Sequence, residues 1–191
     1  MVSIAIPLGI GGTILAKPIM NLLYGAKYEG GVIALQILIW SVALICINST
    51  YAWGLYATDR QNRFLKVVTL QATVNLILNF ILISPFGLIG ASVATLVAEI
   101  IGLPLYYAEF SKVTFVPFKC YILKPLFASI AMGVFVYCTS IVSLNIFALI
   151  TGSVIVYFVV LYAIGGILKE DMELIKNMFP INKQEVIKKT C

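Results

Sequence analysis

The stretch Val67–Ala98, VVTLQATVNLILNFILISPFGLIGASVATLVA, decides the fold. It runs for 32 residues without one charged side chain. A helix needs about 20 apolar residues to cross a bilayer, so this stretch is long enough for more than one crossing. Within it stands Ser84-Pro85-Phe86-Gly87. Proline interrupts a helix, and glycine takes the backbone conformations that a reversal needs. The stretch therefore predicts two membrane-spanning helices joined by a short turn.

Outward from this stretch the pattern repeats. Met1–Ala16, Gly30–Thr58 and Pro125–Leu168 are also free of charge. The last of these runs for 44 residues and reads as two helices, with a turn near Ser143-Leu144-Asn145. Six spans are predicted, at about 1–21, 32–56, 64–84, 88–109, 122–142 and 146–168. Residues 1–168 are expected to form one six-helix membrane domain, and 169–191 a cytoplasmic amphipathic tail. In the tail, Met172, Ile175, Met178 and Phe179 recur at helical spacing among charges, with Pro180 following. That suits either a short helix lying in the interface or a partly disordered polar tail.

Composition agrees. Apolar residues make up 61% of the chain, charged residues 11%, and mean hydropathy is +1.04. Soluble domains carry roughly 45–50% apolar residues and about 25% charge. There is no histidine, which excludes Ser-His-Asp triads, His metal sites and His-based proton transfer. The four cysteines, Cys46, Cys120, Cys138 and Cys191, form no CxxC pair. They read as small apolar side chains and demand no oxidising compartment. Met1–Ala16 lacks the basic start and the cleavage site of a secretory signal.

The net charge of +5 sits near the ends of apolar runs, which points to orientation in a membrane and not to nucleic acid. The link after span two holds Arg60, Arg63 and Lys66, and the link after span four holds Lys112, Lys119 and Lys124. The tail is also lysine-rich, while the links at 84–87 and 143–145 hold no basic residue. Only the first link, with Lys17, Lys27 and Glu29, blurs the alternation. Both termini are expected on the cytoplasmic side of a cell membrane, with the links at 57–66 and 110–121.

Polar side chains within the spans are the candidate functional groups, because they are costly in lipid and rarely face it. Gln71, Asn75 and Asn79 stand at i, i+4 and i+8 and form one helical stripe. The stripe either joins this helix to a neighbour or lines a wet cavity that accepts a polar ligand. Span two adds Gln36, Ser41, Asn48, Ser49 and Thr50. It is also longer than a straight crossing needs, which leaves room for tilt. Glu99 is the only acid well inside a span. It must face protein or water, find a partner or take up a proton. On the same helix, Gly90, Ala94, Ala98 and Gly102 recur every four residues, a spacing that lets two helices approach closely. Arg60, Arg63 and Lys66 either orient the chain or contact anionic headgroups or a pyrophosphate.

Several of these elements stand in a telling order. Lys17-Pro18-Ile19 leads to Leu23-Tyr24-Gly25-Ala26-Lys27-Tyr28, and Leu35-Gln36-Ile37-Leu38 follows. Next come Asn48-Ser49, Leu55-Tyr56-Ala57-Thr58-Asp59-Arg60-Gln61 and Asn75-Leu76-Ile77-Leu78-Asn79. Phe86-Gly87-Leu88-Ile89-Gly90-Ala91-Ser92-Val93-Ala94-Thr95 closes the series. Over roughly residues 2–165 this resembles the C-terminal region of polysaccharide biosynthesis proteins. These are the oligosaccharide (O-antigen type) flippases of the multidrug/oligosaccharidyl-lipid/polysaccharide exporter superfamily. One departure is Asp59, which stands where a glycine is common before the arginine.

The resemblance implies an all-α polytopic membrane protein. Its six transmembrane helices would form part of a flippase C-terminal lobe plus two extra helices, and the remaining N-terminal lobe would be supplied in cis or in trans. It implies transport and no enzyme activity: an isoprenoid-pyrophosphate-linked oligosaccharide crosses the lipid bilayer for surface polysaccharide or lipopolysaccharide synthesis. No catalytic residue, metal or cofactor is expected. In that setting Asn48, Gln71, Asn75 and Asn79 are candidates for the substrate cavity. Glu99 is the candidate for ion coupling or a buried polar contact, and Arg60, Arg63 and Lys66 for the pyrophosphate. Two other readings are a drug or small-molecule antiporter of the same superfamily and a membrane assembly subunit that transports nothing.

Overall fold

The computed structural model describes residues 1–112, 118–140 and 146–165. The expected turn at 143–145, the tail 169–191 and residues 113–117 of the link at 110–121 lie outside the described residues. Among those described, the chain is helical and contains no strand. Helix α1 spans Val2–Tyr24 and is followed by a 3-10 segment, Ala26–Gly31. Helix α2 spans Val32–Ala57, α3 Gln61–Phe110, α4 Phe118–Ser140 and α5 Ile146–Ala163. The all-α membrane fold read from the sequence is what the structure has. Three of its helical segments are long and apolar enough to cross a membrane, and shorter apolar helices cover Leu123–Thr139 and Ala148–Ala163.

Helix α3 shows how length and sequence chemistry combine. Fifty residues of straight helix would reach about 75 Å, more than twice a bilayer's apolar core. The chain instead reverses at Gly87, whose φ of 54° and ψ of −126° suit glycine and strain residues with a Cβ. The two arms, residues 61–86 and 88–110, then run side by side. Their seam is made by small residues: Gly90, Ser92, Ala94, Ala98 and Gly102 are all buried. A Cβ on Gly90 would collide with the backbone carbonyl of Leu82, and one on Gly102 would meet the Gln71 amide. The four-residue ladder is thus a structural seam, as small residues at this spacing usually are in membranes.

At the open end of the hairpin, Glu109 pairs with Lys112 at 2.8 Å and Arg63 lies 3.9 Å away. Asp59, in the turn before α3, has φ of 56°. Aspartate is among the few side chains that enter this left-handed region readily. The residue standing where glycine is common therefore keeps the backbone that glycine would have provided.

Packing divides the chain into two clusters. Tyr51, Leu55, Val67 and Tyr106 form the apolar core between α2 and α3. Leu15, Ala128, Met132, Val136, Leu149, Tyr157 and Leu161 form the core among α1, α4 and α5. Helix α1 also meets α2, where Gly9 and Gly12 make room for Trp40 and Ile39. There the Gln36 amide donates to the Thr13 carbonyl at 3.0 Å. Two polar contacts close the second cluster. Tyr157 donates to the Ser3 carbonyl at 2.5 Å, and Lys124 donates to the Gly165 carbonyl at 2.8 Å. In the first link Lys17 and Glu29 pair at 2.5 Å, and the ammonium holds the Glu29 carboxyl below its ordinary value.

Candidate functional site: a polar recess between α2 and α3

A recess of about 570 Å³ opens between α2 and the two arms of α3. Helical periodicity explains its lining. Asn48, Ala52 and Tyr56 stand one turn apart on α2, and Glu99 and Tyr106 two turns apart on the second arm. Gln71 and Phe64 reach it from the first arm. Its floor is polar and one end is aromatic.

The polar floor centres on a long-range contact. Asn48 is only 4% exposed. Its Nδ2 donates to the Glu99 backbone carbonyl at 3.1 Å and to the Glu99 carboxylate oxygen Oε2 at 2.8 Å. Two acceptors face one end of the amide, so that end must be the nitrogen. The amide oxygen Oδ1 is consequently turned away from Glu99, and it is buried with no partner. Among the described residues, no salt bridge involves Glu99.

The remaining sequence candidates separate. Asn75 and Asn79 do not line the recess. Asn79 Nδ2 donates to Asn75 Oδ1 at 2.9 Å, and Asn75 Nδ2 reaches Thr95 Oγ1 on the opposite arm at 3.5 Å. Gln71, at the head of the same stripe, does line the recess and packs on Gly102. Arg60, Arg63 and Lys66 are exposed around the turn into α3, with Arg63 about 12 Å of helix rise from Gln71. None of the three lines the recess: Arg60 and Arg63 precede Phe64 at its aromatic end, and Lys66 lies on another face of the first arm with Leu65, Thr69, Leu70 and Thr73. Elsewhere on α2, the hydroxyls of Ser41, Ser49 and Thr50 donate to carbonyls of their own helix.

Sequence reasoning missed the aromatic wall. Trp53, Tyr56, Phe64 and Tyr106 form a continuous arc, with ring centroids 5.9 Å, 4.6 Å and 6.3 Å apart in that order. A signal existed: Tyr56 lies eight residues from Asn48, and Tyr106 seven from Glu99, so each shares a helix face with its polar partner. Among the described residues, no group of three or more Cys, Asp or Glu could hold a metal ion.

The fold defines a class, an all-α protein with several helices apolar enough to cross a membrane. The comparisons add particular relatives. The chain is similar in structure to the lipid II flippase MurJ in an inward closed conformation, with a TM-score of 0.71. That match covers 90% of this chain and 37% of the other at 24% identity, a likeness of fold alone. In sequence it is 35% identical over 92 residues to an uncharacterized membrane protein of Methanocaldococcus jannaschii. It is 32% identical over 103 residues to the probable flippase AglR of Haloferax volcanii. These matches cover 48% and 52% of this chain, but only 18% and 21% of the two relatives. The chain thus spans well under two thirds of the proteins it matches. No family model matches it. The chain thus resembles a probable flippase in part of its sequence and a lipid II flippase in fold.

Proposed function

We propose that this chain forms part of a membrane flippase that moves lipid-linked oligosaccharide across the bilayer for surface polysaccharide synthesis. The observation that carries the reading is the overlay of nine-tenths of the chain on a lipid II flippase. The likeness to a probable flippase in a second organism supports it independently. The physical demands of the task fit the residues. Moving an amphipathic lipid breaks no bond, so no nucleophile or metal is required. The sugar needs polar partners within an apolar shell, and Asn48 and Gln71 offer amides in the recess. Beside it Asn75 reaches Thr95 across the hairpin, and Asn79 donates to Asn75 on the same arm. Arg60, Arg63 and Lys66 are exposed outside the recess, around the start of α3, where a pyrophosphate crossing the interface would meet them. The isoprenoid tail stays in lipid.

In this reading further helices, in cis or in trans, complete the cavity, and the termini face the cytoplasm of a cell membrane. The test is a flipping assay in cells depleted of the complete transporter. Lipid-linked oligosaccharide should accumulate in the inner leaflet. The complete transporter should restore export, and residues 1–191 alone should not. An unchanged leaflet distribution on depletion would remove the flippase reading. Topology is checked by single cysteines in a cysteine-free background. One at Arg63 should label from the cytoplasm and one at Phe86 from outside.

A further inference from the structure

We infer that Arg60, Arg63 and Lys112, gathered around Glu109 at the open end of the α3 hairpin, form a site for a phosphate group at the membrane surface. Three observations converge. The first is how the cations are held together. Arg60 and Arg63 stand about one turn apart at the start of the first arm, and the Arg63 N–H donates to the Arg60 carbonyl at 3.0 Å. The Arg60 N–H donates to the carbonyl of the fully buried Leu55 at 3.0 Å, so this corner is anchored to α2. Lys112 follows the end of the second arm. Glu109 joins the two: Lys112 Nζ lies 2.8 Å from its Oε1, and Arg63 Nη1 lies 3.9 Å from the same oxygen. The Arg60 charge acts on this carboxylate as well.

The second is imbalance. Three cations share one carboxylate, and both ion pairs end on one of its oxygens while Oε2 is buried without a partner. At 3.9 Å the Arg63 guanidinium is beyond hydrogen-bond length from Glu109. Among the described residues, the Arg60 and Arg63 side chains donate no hydrogen bond, and Lys112 donates only to Glu109. The Arg63 and Lys112 side chains are 55% exposed and that of Glu109 20%, so the free donors face outward with the acid beneath them. By contrast, Lys17 is paired with Glu29, and Lys124 is spent on the Gly165 carbonyl. What this cluster lacks is an anion.

The third is reach. Both contacts end on one oxygen, so the Arg63 and Lys112 nitrogens stand within about 7 Å of each other. A phosphate accepts at about 2.8 Å through oxygens about 2.5 Å apart, and so bridges nitrogens up to about 8 Å apart. Planar guanidiniums also grip phosphate through paired N–H bonds. Lys66 takes no part, since it stands on another face of the first arm with Thr69 and Thr73. A phosphate here ties the start of one arm to the end of the other and competes with Glu109 for the same donors. Two sources carry that chemistry, the headgroup of an anionic phospholipid and free phosphate in solution. The inference concerns a phosphate resident at the surface. It stands apart from the flippase reading, since it holds or fails whether or not a sugar is moved.

The test uses the 191-residue chain in neutral maltoside micelles, read by thermal unfolding of its helices. Dioleoylphosphatidylglycerol is titrated against dioleoylglycerol, which has the same tails and no phosphate. Potassium phosphate is titrated against potassium chloride at equal ionic strength. A ligand of the folded state raises the unfolding midpoint with concentration. The phosphate-bearing lipid should raise it saturably, and dioleoylglycerol should not. Arg63→Gln combined with Lys112→Gln should weaken that response at least about tenfold in apparent affinity. Lys17→Gln, which removes a cation from α1, should leave it unchanged. Glu109→Gln should tighten it about twofold or more, because the competing carboxylate is gone. A response to the lipid alone assigns the site to a headgroup, and a response to potassium phosphate alone assigns it to a free anion. Equal gains from the two lipids with none from potassium phosphate, an undiminished response in the double variant, or weaker binding by Glu109→Gln overturns the inference. So does the absence of any response. If the double variant loses helicity, Lys112→Gln alone, which lies outside α3, decides in its place.

Discussion

The two packed clusters of this molecule sit in the same solvent and are held together differently. Between α2 and α3, the anchor is polar: Asn48 on Glu99, with the Asn75–Asn79 pair one arm across from Thr95. Among α1, α4 and α5, the contacts are almost wholly apolar. Gly11 and Gly133 admit Met132, Ile10 and Ile14, and a cavity of about 330 Å³ is left beside them. The contrast matters because lipid is as apolar as leucine, so burying leucine between helices gains little over leaving it in lipid. The apolar cluster must rely on fit between surfaces. The polar cluster relies on hydrogen bonds whose loss leaves groups stranded in a medium with no water to replace them. The first should tolerate volume-conserving changes, and the second should punish the loss of one partner and forgive the loss of both.

The largest expected effect breaks the α2–α3 side at its seam. Gly90→Val drives a side chain into the Leu82 carbonyl, a backbone atom that cannot move aside. A loss of about 3 kcal/mol or more is expected, read as collapse of the folded fraction in detergent titrations. Gly133→Ala on the other side meets only side-chain methyls, Ile10 Cγ2 at 3.0 Å and Ile14 Cδ1 at 3.6 Å, and should cost far less. Similar losses for the two variants would erase the contrast.

Next in size is the polar anchor. Asn48→Leu removes the donor to Glu99 and should cost about 2 kcal/mol. Glu99→Leu should cost about as much by stranding the Asn48 amide. The double variant should recover a large part of the loss, giving a coupling of about 1 kcal/mol or more in unfolding measurements. Strict additivity would mean that the pair does not anchor the helices. A smaller effect tests the apolar side. Tyr157→Phe deletes the bond to the Ser3 carbonyl but keeps the ring, and should cost about 0.6–1.5 kcal/mol by thermal unfolding. A loss equal to that of Asn48→Leu would show that the apolar cluster also hangs on one polar contact. Smallest is Asp59→Gly, which relaxes the left-handed turn between α2 and α3. A gain of at most about 1 kcal/mol is expected, and a loss would show that the Asp59 side chain does more than tolerate its backbone.

Much of the architecture was legible in the chain. Charge-free runs mark where apolar helices stand, and the Ser84–Gly87 signal contains the left-handed glycine at which α3 reverses. The small-residue ladder on the second arm marks the seam correctly, because close approach has a spacing that sequence displays. The recess was less legible. Asn48 and Glu99 are 51 residues apart, and α2 is apolar on every side, so no periodicity tells which face meets α3. The stripe Gln71–Asn75–Asn79 splits between recess and seam because the partner arm covers only part of it. The aromatic arc assembles from three helical segments, and no single one of them presents it.

The bond between Tyr157 and Ser3 joins residues 154 positions apart. It has a consequence for the order of assembly during synthesis. The arms of α3 are joined by one turn, and α2 precedes them by three residues, so this cluster can pair as soon as Phe110 has entered the bilayer. Helix α1 enters before that cluster but must wait for α4 and α5 before its second face is covered. For most of synthesis that face is left to lipid. A helix made before the α2–α3 cluster is fully packed only after it.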